Sequence, residues 1–190
     1  MLLPTRCPLC SRRGPAPCSS CAQGLEPARA GPYPAVLAYT GDARRLVHAL
    51  KYRNGRAVAP ALGAAMARLI AHEPVDEVTW APTSAARRRA RGYDQAQVLA
   101  RAVARHLGVP CRPLLRRRGP SRAQTGRRRV ERLADAPLFA TTRRPRAHVL
   151  VVDDVVTTGA TLHAACRALL AGGAEYVRAV AAAATPRAGP

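Results

Sequence analysis

Two adjacent carboxylates end the most apolar stretch of the chain. Val149 to Val152 are four consecutive aliphatic residues, and Asp153 and Asp154 follow them directly. An aliphatic run without alternation is typical of a strand that is buried on both faces. Because successive strand side chains point to opposite faces, we expect the two carboxylates not to form a close dyad. Even about 5 Å apart they repel by roughly 3 kcal/mol at an effective dielectric of about 20, so donors, sugar hydroxyls or a metal must stabilise them.

A run of small and hydroxyl-bearing residues follows the carboxylates and leads into the helical pattern TLHAACRALL: Thr157, Thr158, Gly159, Ala160 and Thr161. Small residues let backbone N–H groups converge on an anion, hydroxyls add donors, and a helix N-terminus favours negative charge. Carboxylates for sugar hydroxyls beside a cradle for an anion predict a sugar phosphate as the ligand. The alternative is a plain strand–turn–helix unit in which the threonines cap the helix.

Four cysteines near the start of the chain form two C-x-x-C turns: Cys7, Cys10, Cys18 and Cys21. Two such turns can complete a tetrahedral thiolate site for zinc. The segment has almost no core of its own, so we expect the metal to supply its folding energy in a structural role. A pair of disulfides and a disordered leader are the alternatives. Cys111 and Cys166 lie among apolar neighbours and are predicted to be packing residues.

The charge balance is strongly basic, with 31 Lys and Arg residues against 11 Asp and Glu residues and a net charge of +20. Such a surplus favours polyanionic partners, namely phosphorylated metabolites, nucleic acid or an anionic membrane surface. Codon bias in a GC-rich genome is the alternative, because Lys51 is the only lysine. The first residues contain no signal-like apolar region, and no run of about 20 apolar residues occurs, so we expect a cytoplasmic protein without membrane insertion.

Strands and helices alternate along the rest of the chain. Strands are predicted in residues 35–41, 75–82, 111–117, 136–142, 148–155 and 176–184, and helices in residues 42–52, 56–72, 94–108 and 161–173. The basic stretch 83–93 is predicted to be a loop or short turn, and residues 118–134 a mobile loop. This order predicts an α/β fold with a mainly parallel sheet and helices on both faces. Ligands of such sheets bind at the carboxyl ends of the strands, where the two aspartates lie.

The chain resembles the ComF family within the type I phosphoribosyltransferases. The segments that carry the resemblance occur in the family's order: the four-cysteine segment, RRLVHALKY, AP followed by RRRARGYDQAQVLA, QTGRRRVERL, and VLVVDDVVTTGAT. The resemblance implies a type I phosphoribosyltransferase-like fold over residues 31–190 and a small zinc-ribbon-like segment in residues 1–30. It also implies that the protein binds 5-phosphoribosyl 1-pyrophosphate with Mg²⁺ and transfers phosphoribose to a nitrogen acceptor, releasing pyrophosphate.

The resemblance further implies a role for each matching position. Asp153 and Asp154 would contact the ribose hydroxyls, and Thr157 to Thr161 would hold the 5′-phosphate. Pyrophosphate would be received in the segment from Pro82 to Asp94. Its candidate donors are Arg87, Arg88, Arg89 and Arg91, of which Arg88 and Arg91 are preferred. Lys51 is a further candidate for pyrophosphate binding. Residues 118–133 would form a flexible lid, with Arg129 as a catalytic candidate beside the two aspartates. A solvated basic face is the alternative for each arginine.

Two positions depart from the family's pattern. Thr157 stands where several purine-salvaging relatives place an aspartate that helps to deprotonate the base, so the acceptor stays open. Asp94 stands where ComF-type sequences commonly have asparagine, and it adds negative charge beside the pyrophosphate segment.

The resemblance leaves two other functions open. One is a non-catalytic accessory protein of DNA uptake that binds single-stranded DNA or the uptake machinery and senses the sugar phosphate. The other is a ligand-sensing regulator. The scarcity of aromatic residues, 4% of the chain, argues against a base-stacking surface. The oligomeric state stays open, and a homodimer is compatible with the sequence.

Overall fold

A computed structural model describes residues 5–50, 53–118 and 138–186. Its strands are β1 Ala35–Ala38, β2 Glu77–Trp80, β3 Leu115–Arg118, β4 Leu138–Thr141, β5 His148–Val156 and β6 Tyr176–Ala184. Its α-helices are α1 Ser19–Gln23, α2 Gly41–Ala49, α3 Ala59–Leu69, α4 Ala85–Arg91, α5 Gln95–Leu107 and α6 Ala160–Ala171, and a 3-10 helix, Arg53–Val58, precedes α3. None of the helices in these ranges is long and apolar enough to cross a membrane.

The central sheet contains four parallel strands in the order β1-β6-β5-β2. β5 is an inner strand, and it pairs with β2 through Trp80 and Val152 and with β6 through Asp153 and Ala181. This position explains the unbroken aliphatic sequence of β5, because both of its faces are covered. The predicted α/β fold with a mainly parallel sheet is confirmed.

Two apolar clusters cover the faces of this sheet. The α5-side cluster joins α2, α3 and α5 to the sheet, and includes Leu46, Met66, Leu99, Val103, Leu150 and Val152. The α6-side cluster joins α6 and the segment before β3 to the other face, and includes Leu114, Val149, Val151, Leu162 and Leu169. Helices on both faces fix β5 between them, so its carboxyl end is held by the core of the protein.

Two predicted elements differ from the structure. Residues 83–93 were expected to form a loop or short turn, but α4 occupies most of them. Ser84 caps this helix by accepting from the N–H of Arg87 at 3.3 Å, and Gly92 ends it with a φ of 77°. The strand predicted at 111–117 begins only at Leu115 and pairs antiparallel with β4, outside the parallel sheet. Most of the predicted mobile loop, residues 119–134, lies outside the described residues.

The four-cysteine segment packs against the body of the protein. Ala16 is buried in the α5-side cluster, and Leu9 and Leu25 pack against the same cluster. The backbone carbonyl of Leu9 also accepts from the Arg45 guanidinium of α2 at 3.4 Å. These contacts attach the segment next to α2, while its boundary at residue 30 stays a prediction.

Candidate functional site

The two aspartates lie near the carboxyl end of β5, as predicted, but the strand continues for two residues beyond them. Strict alternation of side chains is interrupted here. Val152 packs in the α5-side cluster, and Val155, three residues on, packs against the same cluster, while Val156 belongs to the α6-side cluster. The interruption falls on Asp153 and Asp154.

The two carboxyl groups affect each other's ionisation, whereas the expectation that they do not form a close dyad stays a prediction. The N–H of Asp154 donates to Oδ1 of Asp153 at 2.8 Å. Burial, then the charge of Asp154 and a side-chain hydrogen bond with it, raises the pKa of Asp153 well above its ordinary value. An acidic pair whose burial and like charges disfavour the second ionisation is suited to hydroxyl donors or a cation, because either would stabilise the second charge.

Asp154 is held by donors from two elements. Its Oδ1 accepts from the N–H of Val155 at 2.9 Å, and its Oδ2 accepts from the side-chain amide of Gln95 at 3.1 Å. Gln95 is the first residue of α5, and sequence analysis assigned it no role. Its place in the segment RRRARGYDQAQVLA and its position after a helix cap are the sequence signals that could have indicated it.

The small and hydroxyl-bearing residues form the turn between β5 and α6. Gly159 has a φ of 84°, and a Cβ at this position would lie 2.9 Å from Cε2 of Tyr33, so both the backbone and the packing favour glycine. The hydroxyl of Thr158 accepts from the N–H of Ala160 at 3.4 Å. One small cavity is lined by Asp153 together with residues 155–162. The structure thus brings Thr157 to Thr161 and a carboxylate to one place.

Asp94 is buried and joins the end of β2 to α5. Its Oδ2 accepts from the N–H of Thr83 at 2.8 Å, and its Oδ1 accepts from the N–H of Ala96 at 3.1 Å. Burial raises the pKa of Asp94, and the nearby charge of Asp154 adds to this, against the lowering by these N–H donors. The carboxylate is thus used as a helix cap, and it adds to the negative potential around the pair on β5.

The basic residues near the site come from α4 and β3. Arg88 and Arg91, the predicted pyrophosphate donors, both lie on α4. Arg117 on β3 is exposed, and the charges of Arg87 and Asp153 both act on it. Desolvation and then the charge of Arg87 lower the pKa of Arg117, and Asp153 opposes the shift.

Arg117 was not predicted from the sequence. It lies two residues after the buried Leu115 but is itself exposed, as are Arg116 and Arg118, so strand alternation does not distinguish it. The other two predicted basic residues, Lys51 and Arg129, lie outside the described residues.

A cavity of about 490 Å³ opens beside Thr157 at the carboxyl ends of β1, β5 and β6. The chain before β1 forms its outer wall, and the lining includes Glu26, Arg29, Tyr33 and Thr185. Its volume is that of a small-molecule site. No strand or helix was predicted in residues 24–34, and this wall was not expected from the sequence.

The four cysteines form a compact group. Their sulfur atoms all lie within 4.8 Å of one another, and Sγ of Cys10 and Sγ of Cys18 are 3.6 Å apart. No disulfide joins any of the six cysteines, all of which lie in described ranges. Within those ranges this is the only group of three or more metal-ligating side chains close enough to share an ion. The four sulfurs match the spacing that a tetrahedral metal site requires.

The cysteines differ in their readiness to ionise. Burial acts to raise the pKa of Cys7, but backbone donors at Cys18, Cys10 and Leu9 outweigh it and lower the pKa to about 6. A side-chain hydrogen bond to Cys18, with burial, raises the pKa of Cys21 to about 12. Four close sulfurs cannot all be thiolates without a cation, so the group favours a metal ion.

Comparisons with known proteins agree with this geometry. The sequence model of the phosphoribosyl transferase domain matches residues 94–189. Competence protein ComFC of Bacillus subtilis (strain 168) is 35% identical over 91 residues, which are 47% of this chain and 36% of that protein. The alignment thus spans about a third of this relative's length.

Solved structures with a similar shape include two phosphoribosyltransferases. The purine phosphoribosyltransferase from Pyrococcus horikoshii Ot3 has a TM-score of 0.43 and 14% identity, covering 65% of this chain and 70% of its own. The orotate phosphoribosyltransferase from Aeropyrum pernix has a TM-score of 0.39 and 22% identity. The match covers 73% of this chain and 62% of that protein's chain. The family match contains β5, α6 and β6 and takes in half of the 190 residues, so the chain belongs to the phosphoribosyl transferase domain family.

Proposed function

We propose that the protein binds 5-phosphoribosyl 1-pyrophosphate and transfers its phosphoribosyl group to a nitrogen acceptor, with release of pyrophosphate. The observation that carries this proposal is the shared cavity of Asp153 and the turn from Thr157 to Thr161 at the carboxyl end of an inner parallel strand. Carboxylates accept from vicinal ribose hydroxyls, and the turn offers N–H groups and threonine hydroxyls to the 5′-phosphate at the start of α6.

Arginines from two elements support the placement of pyrophosphate. The charge of Arg87 on α4 acts on Arg117 of β3, and the charge of Asp153 acts on Arg117 in the opposite sense. An anion between the two arginines would remove their repulsion, and guanidinium groups bind phosphate in bidentate fashion. We assign the leaving group to this place, with Arg88 and Arg91 of α4 as further donors. Lys51 and Arg129 keep their proposed roles in pyrophosphate binding and catalysis.

Mg²⁺ is the metal that this substrate would carry. The usual ligands of Mg²⁺ are one or two carboxylates together with substrate phosphate oxygens, and the acidic pair on β5 supplies the carboxylates. When bound, the ion would neutralise the developing charge on pyrophosphate. The residues of the chain orient the ribose and hold both phosphate ends, so that C1 faces the acceptor.

The proposed reaction breaks the bond from C1 to the pyrophosphate oxygen, which keeps the electron pair, and forms a bond from C1 to the acceptor nitrogen. The nitrogen then loses a proton. Thr157 offers only a hydroxyl at the position beside the acceptor, so the proton passes to pyrophosphate or solvent. The cavity of about 490 Å³ beside Thr157 is our candidate acceptor site, and its walls do not name the acceptor.

Pyrophosphate release tests the enzymatic claim. The protein is incubated with phosphoribosyl pyrophosphate, Mg²⁺ and a pool of nucleobases and amines, and released pyrophosphate is measured against an Asp153→Asn and Asp154→Asn double variant. We expect release to depend on the pool and to be lost in the variant. Release no faster than without protein, while calorimetry still shows binding, would leave a ligand-binding protein without this activity.

We also propose that the four cysteines hold one structural zinc ion. The closeness of the four sulfurs supports a metal ion. A tetrahedral zinc ion with four cysteine ligands has no open position for a substrate, which supports a structural role. Metal analysis of purified protein should give one zinc per chain.

A second function is favoured by the similarity to a competence protein and by the exposed arginines of α4. In this proposal the protein is a non-catalytic accessory of DNA uptake that binds single-stranded DNA. Affinity for single-stranded DNA should then fall steeply with salt, and Cys18→Ser should weaken it. Binding that is insensitive to both would contradict this role.

A further inference from the structure

Gln95 is a buried amide beside the acidic pair. It is 6% exposed and lies at the first position of α5. Its Nε2 donates to Oδ2 of Asp154 at 3.1 Å. Its Oε1 is buried and has no hydrogen-bond partner among the described residues. A buried carbonyl oxygen without a partner lowers stability, so the fold gains little from an amide at this position.

The geometry explains what the amide does for Asp154. The backbone N–H of Val155 holds Oδ1 at 2.9 Å, and only Gln95 is seen to hold Oδ2 among the described side chains. Two donors on the two oxygens fix the plane of the carboxylate. An amide does this without a positive charge, so it leaves the carboxylate's charge available to a ligand, whereas lysine or arginine would neutralise it.

The backbone of Gln95 is itself fixed by its neighbour. Asp94 caps α5 and binds the N–H of Thr83 after β2, at 2.8 Å. The helix start is therefore held by backbone contacts that a change of the Gln95 side chain leaves in place. This separation lets the role of the side chain be tested apart from the fold.

We propose that Gln95 is a positioning residue, which orients the Asp154 carboxylate for a ribose hydroxyl of the bound sugar phosphate. The inference rests on the proposed function, since it names the group that prepares Asp154 for that ligand. It predicts that an apolar side chain of similar length keeps the fold and loses the ligand. A purely structural residue would lose the fold first.

The test compares the wild type, Gln95→Met and Gln97→Met by calorimetric titration with phosphoribosyl pyrophosphate and Mg²⁺ and by thermal unfolding. Gln97 lies on the same helix and is half-buried, so it is a matched control. We expect Gln95→Met to weaken binding about tenfold or more, since a hydrogen bond to a charged group is lost. Its unfolding midpoint should stay close to that of the wild type, because removal of the unpaired oxygen offsets the lost hydrogen bond to Asp154. Gln97→Met should bind within about twofold of the wild type.

A second variant tests the effect of a negative charge at position 95. Gln95→Glu keeps the length of the side chain but places a carboxylate against Asp154, so binding should fall further than in Gln95→Met. Two results would overturn the positioning role when the wild-type protein itself binds the ligand. One is an affinity of Gln95→Met equal to that of the wild type. The other is weak binding by Gln95→Met together with a lowered unfolding midpoint. Absence of binding by the wild type would instead remove the proposed function, and this inference with it.

Discussion

The four-cysteine segment and the acidic end of β5 both bring acidic groups together, but they do so by opposite means. The cysteines are brought together by short turns. In the described part of this segment, Cys7 and Ala16 are the buried residues of the apolar core. The aspartates are gathered by an inner strand with an apolar cluster on each face. In the first region the proposed zinc ion would supply the folding energy, whereas in the second the core supplies it before any ligand binds. The two regions should therefore respond differently to loss of their partners.

The largest expected effect is on the cysteine segment. Cys18→Ser removes one of the four sulfurs, and structural zinc contributes about 10 kcal/mol or more to the folding of such segments. We expect zinc content to fall from one per chain to near zero and the first 30 residues to become sensitive to protease. Cys166→Ser is the control, because this thiol lies outside the group. Equal zinc content in both variants would show that the cysteines hold no metal.

The next effect concerns the turn after β5. Gly159→Ala places a Cβ 2.9 Å from the Tyr33 ring at a φ of 84°, and we expect it to destabilise the protein by about 1 to 2 kcal/mol and to prevent phosphate binding. Gly108→Ala is matched in backbone, with a φ of 69° and open space around its Cβ. Calorimetry should show normal affinity for the sugar phosphate in Gly108→Ala. Equal affinity in both variants would mean that the turn is not the phosphate site.

Arg117 is a third point of comparison between the cysteine segment and the acidic end of β5. It lies on β3, outside the central sheet, and its charge interacts with that of Asp153. Arg117→Gln should weaken binding of phosphoribosyl pyrophosphate about tenfold through the loss of a charge-assisted contact. Arg118→Gln on the same strand should change it much less, as measured by titration at fixed salt. Similar losses in the two variants would indicate a general effect of net charge.

The smallest effect is a pH dependence of stability. The pKa of Asp153 is raised by burial and by Asp154, so the folded state holds a proton that the unfolded state releases at a lower pH. The free energy of unfolding should fall as the pH rises from about 4 through the raised pKa. Asp153→Asn should remove this fall and raise stability at neutral pH by roughly 1 kcal/mol or more. Denaturant unfolding at pH 4 and pH 7 measures both, and an unchanged pH profile in the variant would contradict the raised pKa.

The residues of the candidate site could be selected from the sequence because one continuous segment carries them. Val149 to Thr161 contains the buried strand, the acidic pair, the glycine turn and the start of the helix. The unbroken aliphatic run indicates the strand, and the turn residues indicate the start of the helix. The cysteine group was predictable for the same reason, since its ligands are close in sequence.

Contacts between distant segments were not readable in this way. Gln95 donates to Asp154 across 59 positions, and the charge of Asp153 acts on Arg117 from a distant segment. The mutual effect of the two carboxyls on their ionisation depends on their burial in the fold, which a period of two does not predict. Helix α4 was missed because its arginines have no apolar face, although Ser84 and Gly92 are ordinary helix ends.

The central claim is that Asp153 and Asp154 with the following turn form a sugar-phosphate site. Calorimetric titration of phosphoribosyl pyrophosphate with Mg²⁺ into the wild type and into the Asp153→Asn and Asp154→Asn double variant tests it most directly. The account predicts saturable binding of one ligand per chain to the wild type and a loss of at least about a hundredfold in a variant that remains folded by circular dichroism. Equal binding by the two proteins, or no binding by the wild type, would contradict it.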